Sequence, residues 1–168
     1  MTLAIRPALK REIDAIRDLE RASSRRFLGV MDALAVDDPT PADVLARRLG
    51  ADGLLAATID GELAAFVMFR PLEDSHYIEQ IDVNPRFQGR RIGAALIDAV
   101  AERAAAAGLA RLTLSTFRDI PWNAPYYRRL GFLDIPDAAL SDALRAVRRE
   151  HVARGLDEGA RLFMQRPI

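Results

Sequence analysis

Residues His76–Leu96, HYIEQIDVNPRFQGRRIGAAL, decide how the rest of the chain is read. His76–Val83 is predicted to be a long strand. Asn84-Pro85 ends it, because the residue before proline is held extended and proline donates no ladder bond. From Gly93 to about Ala107, Leu96, Val100, Ala95 and Ala99 continue from Ile92 at helical spacing, and Gly108 stands where a glycine cap belongs. The turn between strand and helix carries Gly89, Gly93, Arg86, Arg90 and Arg91. Such a turn leaves backbone N–H groups unpaired at a helix N-terminus, aimed where an anion would sit. Glycine lets a ligand approach the backbone, and arginine adds charge-assisted contacts to phosphate oxygens. The physical reading is a pyrophosphate cradle. It lacks both the GxxxxGK[ST] of a P-loop and the GxGxxG of a dinucleotide fold.

Working outward, Thr2–Arg6 alternates as a short strand, and Pro7 is expected to open a helical stretch with Ile13, Ile16, Leu19 and Ala22 on one face. Ser23–Thr40 reads as a loop, and Pro41 as the start of a second helix that stops near Gly50. Gly53–Ile59 and Glu62–Phe69 flank the hairpin signal Asp60-Gly61. A turn is expected at Pro71–Ser75. Beyond the central helix, Arg111–Phe117 alternates as a strand and Pro121–Leu130 reads as a short helix. A strand from Phe132, a helix over Asp137–Arg154 and a closing strand over Ala160–Gln165 complete the order. One mixed α/β domain over 1–168 is expected, its helices flanking a central, mostly antiparallel sheet of six to seven strands.

Composition removes whole classes of function. The 168 residues carry 24 Lys plus Arg and 24 Asp plus Glu, so no basic excess exists for nucleic acid or an anionic membrane. With no cysteine and two histidines, disulfides, thiolate metal sites and a cysteine nucleophile are excluded, and no metal is expected. The charged N-terminus and the lack of a long apolar run argue against a signal peptide or a membrane span, and a cytoplasmic protein is expected.

A second segment, Pro121–Phe132, reads PWNAPYYRRLGF. Asn123 and Tyr127, four apart, share a face if helical, and Gly131-Phe132 breaks into the next strand. Together the two segments resemble the GNAT superfamily of N-acetyltransferases. The family signature [QR]-x-x-G-x-[GA] is matched by Gln88-Gly89-Arg90-Arg91-Ile92-Gly93 after Val83-Asn84-Pro85, and Asn123, Tyr127 and Gly131-Phe132 match its second motif. The element order along nearly the whole chain is also similar to the family's. One position departs: Arg91 stands where glycine is usual. The backbone donors survive that change if the local φ stays negative.

The resemblance implies acetyl-CoA as cosubstrate and direct attack of an acceptor amine on the thioester. Gln88, Gly89, Arg90, Arg91, Ile92, Gly93 and Ala94 would hold the pyrophosphate. The edge of the strand at Ile81, Asp82 and Val83 would pair with the pantetheine amides, and the Val83 amide would polarise the thioester carbonyl. Tyr127 is the candidate acid for the leaving thiolate, since a phenol of pKa about 10 is protonated at neutral pH. Its neighbour Tyr126 is expected in the core. Asn123 would bond the pantetheine arm or cap the short helix. Glu79 is the candidate base, acting through water, with Gln80 and Asp82 on the opposite face of the strand. Arg25 or Arg26 would take an acceptor carboxylate, and Asp37 or Asp38 an amine. Neutral net charge offers no field for polybasic tails, so a small-molecule amine or amino acid is expected as acceptor, and a monomer or homodimer as the assembly. The competing reading is a non-catalytic acyl-CoA-binding sensor that keeps the cradle without using Tyr127.

Overall fold

The computed structural model describes residues 1–168. Seven strands form a mixed sheet in the order β1-β2-β3-β4-β5-β7-β6, flanked by helices. They are β1 (Leu3–Pro7), β2 (Leu54–Ile59), β3 (Glu62–Leu72), β4 (Ser75–Val83), β5 (Arg111–Phe117), β6 (Leu133–Ile135) and β7 (Arg161–Pro167). The helices are α1 (Ile13–Ser24), α2 (Asp32–Ala35), α3 (Ala42–Gly50), α4 (Ile92–Ala106), α5 (Ala124–Arg129) and α6 (Asp142–Ala153). No helix is long and apolar enough to cross a membrane.

The chain divides into two compact units, the first of Met1–Arg70 with Glu79–Ala99. In it, β1, β2 and β3 form an antiparallel meander, with Leu3 opposite Ile59 and Leu54 opposite Met68. The hairpin at Asp60-Gly61 puts both residues at positive φ (50° and 85°), the geometry a two-residue turn needs to follow strand twist. Ile16 and Leu19 of α1 and Leu45 of α3 pack with Leu54, Phe66 and Met68 into a core. Their spacing gives the apolar stripe that makes these helices amphipathic. Pro7 differs from expectation. It closes β1 opposite Leu55 instead of opening a helix, because the stripe begins only at Ile13. The expected loop after Ser23 contains α2 and a 3-10 turn at Arg25–Phe27.

The second unit comprises Pro71–Ile78 and Val100–Ile168. Ser75 through Ile78 pair in parallel with Arg111 through Leu114, and β7 lies antiparallel to both β5 and β6. Tyr77, Ile135, Leu144, Val147 and Phe163 form its core. Gly108 (φ 74°) ends α4 as expected, its amide bonding Ala105 O at 3.0 Å.

Candidate acyl-transfer site

In the first unit, the turn that leads from β4 to α4 is held from below. Asn84 Oδ1 accepts from the Arg86 amide at 3.0 Å, and the ring of Phe87 is buried with the Arg86 and Arg90 guanidinium groups each 5.3 Å from its centre. Gln88, Gly89, Arg90 and Arg91 are then exposed, and Ile92 and Gly93 are buried. The first main-chain bond of α4 runs from Ala95 N to Arg91 O at 3.1 Å. The amides of Ile92, Gly93 and Ala94 therefore have no helical acceptor. This exposed, donor-rich turn on a fifteen-residue helix fits an anion such as a pyrophosphate.

Two residues in that turn occupy the left-handed region, Gly89 at φ 77° and Arg91 at φ 58°. Arg91 thus does not hold the negative φ on which survival of the donors was conditioned, yet the amides of Ile92, Gly93 and Ala94 still lack helical acceptors. The turn keeps the geometry that glycine gives without strain, and Arg91 adopts it at a cost of roughly 1–2 kcal/mol. A Cβ on Gly89 would meet open space, so glycine there serves the backbone angle and not close packing.

Along β4, burial changes midway: Ser75–Ile78 are buried, whereas Glu79–Val83 are half-exposed on both faces although the strand is internal in the sheet order. Glu79, with its side chain 17% exposed, is held by Arg48 of α3 through both carboxylate oxygens, Nη2 to Oε2 at 2.9 Å, with Arg70 Nε at 3.5 Å. Both oxygens of the candidate base are therefore engaged by guanidinium groups.

Asp82 is the group that sequence reasoning undervalued. Ser23 Oγ of α1 donates to its Oδ1 at 2.8 Å, and Gln80 Nε2 to its Oδ2 at 2.6 Å. Burial pushes its carboxyl up to about 7, reinforced by the nearby Glu20 carboxylate and opposed by these hydrogen bonds and by Arg26. Glu20 is itself shifted upward by burial, against bonds from the Thr40 amide and hydroxyl at 2.8 and 3.1 Å. Ser23 and Asp82 lie 59 residues apart, and no local signal joins them.

In the second unit, Asn123 precedes α5 but does not cap it through its side chain; Nδ2 donates instead to Trp122 O at 3.0 Å. Tyr127 is buried (8% exposed) among Tyr126 and Phe132, with ring centres 5.5 and 5.7 Å away. The expected roles in packing are reversed. Tyr127 shares the buried face of α5 with Ala124, three residues earlier, and Tyr126 is half-buried with Arg129 5.8 Å from its ring centre. Arg161, which the sequence did not single out, lies within electrostatic reach of Tyr77 and Tyr127. It also stacks 4.7 Å above Phe117 and bonds Ser115 O at 3.2 Å. Burial lowers its guanidinium from the ordinary value, and Tyr77, Glu158 and Tyr127 oppose that shift.

The sequence model of the Acetyltransferase (GNAT) family matches residues 13–132. The chain belongs to this family of acetyltransferases. Among solved structures, it is similar to the PaiA N-acetyltransferase of Thermoplasma acidophilum in complex with coenzyme A, at 13% identity and TM-score 0.74 over all of both chains. It is also similar to the ribosomal-protein-S18-alanine N-acetyltransferase of Escherichia coli, at 18% identity and TM-score 0.67, covering 99% of this chain and 94% of that one. N-acetylglutamate synthase of Neisseria gonorrhoeae, complexed with coenzyme A and N-acetyl-glutamate, aligns at 17% identity and TM-score 0.76. That match covers 99% of this chain and 35% of that one.

Proposed function

We propose that the chain is an acetyl-CoA-dependent N-acetyltransferase, working as one catalytic domain over 1–168, that acetylates the primary amine of a small molecule or amino acid by direct attack in a ternary complex. The observation that carries this reading is the exposed turn Gln88–Arg91 with the unpaired amides of Ile92, Gly93 and Ala94 behind it. Family membership supports the same chemistry.

Acetyl-CoA supplies an acyl group activated as a thioester. The amides of Gly89–Ala94 hold its pyrophosphate, with the Arg90 and Arg91 guanidinium groups in support. Ile81, Asp82 and Val83 offer backbone groups along the half-exposed part of β4, and the Val83 amide polarises the thioester carbonyl. Asn123 bonds the pantetheine arm through Oδ1. Glu79 takes the ammonium proton through water, which requires its contacts to Arg48 or Arg70 to loosen. Tyr127 Oη gives a proton to the departing thiolate, and the charge of Arg161 favours the phenolate left behind.

Tyr127→Phe tests the assignment. Thiol release from acetyl-CoA is followed with a panel of primary amines and amino acids. The variant is expected to lose about 10²-fold or more in kcat with unchanged acetyl-CoA affinity. Unchanged turnover would remove Tyr127 as the acid. Binding of acetyl-CoA by the natural chain with no thiol release for any amine would favour the acyl-CoA sensor.

A further inference from the structure

A groove of about 500 Å³ opens between the end of α1 and the residues that follow β4, lined by Ala22, Arg25, Arg26, Asn84, Pro85 and Arg86. Three of its six lining residues are arginines and none is acidic, in a chain whose cations and anions are equal in number. Arg86 is paired outward with Glu62 at 2.6 Å, both side chains being more than half exposed. Arg25 and Arg26 are exposed at the start of the 3-10 turn after α1.

Carboxylates stand behind these cations. Ser23, between groove residues Ala22 and Arg25, donates to Asp82, and Arg26 acts electrostatically on the same carboxylate. The groups facing Asp82 are Gln80 on its own strand and Ser23, Glu20 and Arg26 from α1 and the turn after it. The amides at the start of α4 already suit a polyphosphate, whereas a single carboxylate matches the fork of a guanidinium group.

We infer that this groove binds the carboxylate of the acceptor, so that the natural substrate is an amine bearing a free carboxylate, an amino acid or a short peptide. Arg25 and Arg26 make the contact, in the planar two-donor geometry that guanidinium offers a carboxylate. The inference rests on the acetyltransferase reading, and its test is separable from that reading.

The test compares the twenty L-amino acids and alanyl-alanine with their C-terminal amides, which keep the amine and lose the anion. Calorimetry adds the Kd of the best substrate's N-acetyl product for the CoA-loaded protein. At least one free acid is expected to exceed its amide by about tenfold or more in kcat/KM, the loss typical of a charged hydrogen bond. An Arg25→Ala, Arg26→Ala double variant should erase that preference and weaken the N-acetyl product about tenfold, while the Kd of CoA stays within about twofold. Amides that serve as well as acids, or no turnover of any free acid by a protein that binds acetyl-CoA, would overturn the inference. A double variant that loses affinity for CoA but not for dephospho-CoA would also overturn it and assign the groove to the cosubstrate's phosphate. Failure of acetyl-CoA to bind the natural chain would instead refute the acetyltransferase reading.

Discussion

Arg91 holds a backbone angle that glycine adopts freely, in the turn where the family usually has glycine. Retaining a side chain there costs stability, and the side chain is a cation exposed at the start of α4, beside unpaired amides. Stability and affinity should therefore move in opposite directions in Arg91→Gly. Urea unfolding should show a gain of at most ~1 kcal/mol after the larger chain entropy of glycine is counted. Calorimetry should show acetyl-CoA bound about tenfold more weakly. A variant both less stable and unchanged in affinity would refute both parts. The signature was readable in the sequence, whereas the sign of one φ was not, because the turn dictates it through geometry that residue type does not encode.

At the scale of elements, α1 and β4 are joined by the hydrogen bond from Ser23 to Asp82 and by the crowding of Glu20 with Asp82. This contact makes stability depend on pH in a definite direction. The carboxyl of Asp82 titrates near 3.8 when unfolded and at about 7 when folded, so between these values the folded state binds more protons. Stability from this group falls as pH rises through that window, and the penalty is complete above it. Asp82→Asn removes the charge. Its Tm relative to the natural chain should rise as pH is raised from about 5 to about 8, by an amount on the order of a few kcal/mol in stability. A difference independent of pH would show that Asp82 is ionised throughout. Strand and helix order was legible because apolar periodicity is local; β5 matches its expected span and α4 begins one residue early. The partners of Asp82 and Glu79 were not legible, since Ser23 is 59 residues away from the first and Arg48 is 31 from the second. Which of Tyr126 and Tyr127 is buried was hidden too, because a six-residue helix is too short to display its period.

For the whole molecule, the family match spans residues 13–132 and the structural likenesses extend over nearly the full chain at low identity. That combination means that the architecture is shared; Arg25 and Arg26 are the pair proposed above to select the acceptor. The cradle at the start of α4 remains the feature on which every later step depends. Isothermal titration of the natural chain and of Gly89→Asp with acetyl-CoA tests it directly. Aspartate at φ 77° is strained and brings a negative charge to the anion's place. Micromolar binding by the natural chain, lost in a folded Gly89→Asp protein, is the predicted result. No binding by the natural chain, or equal binding by both, would contradict the account.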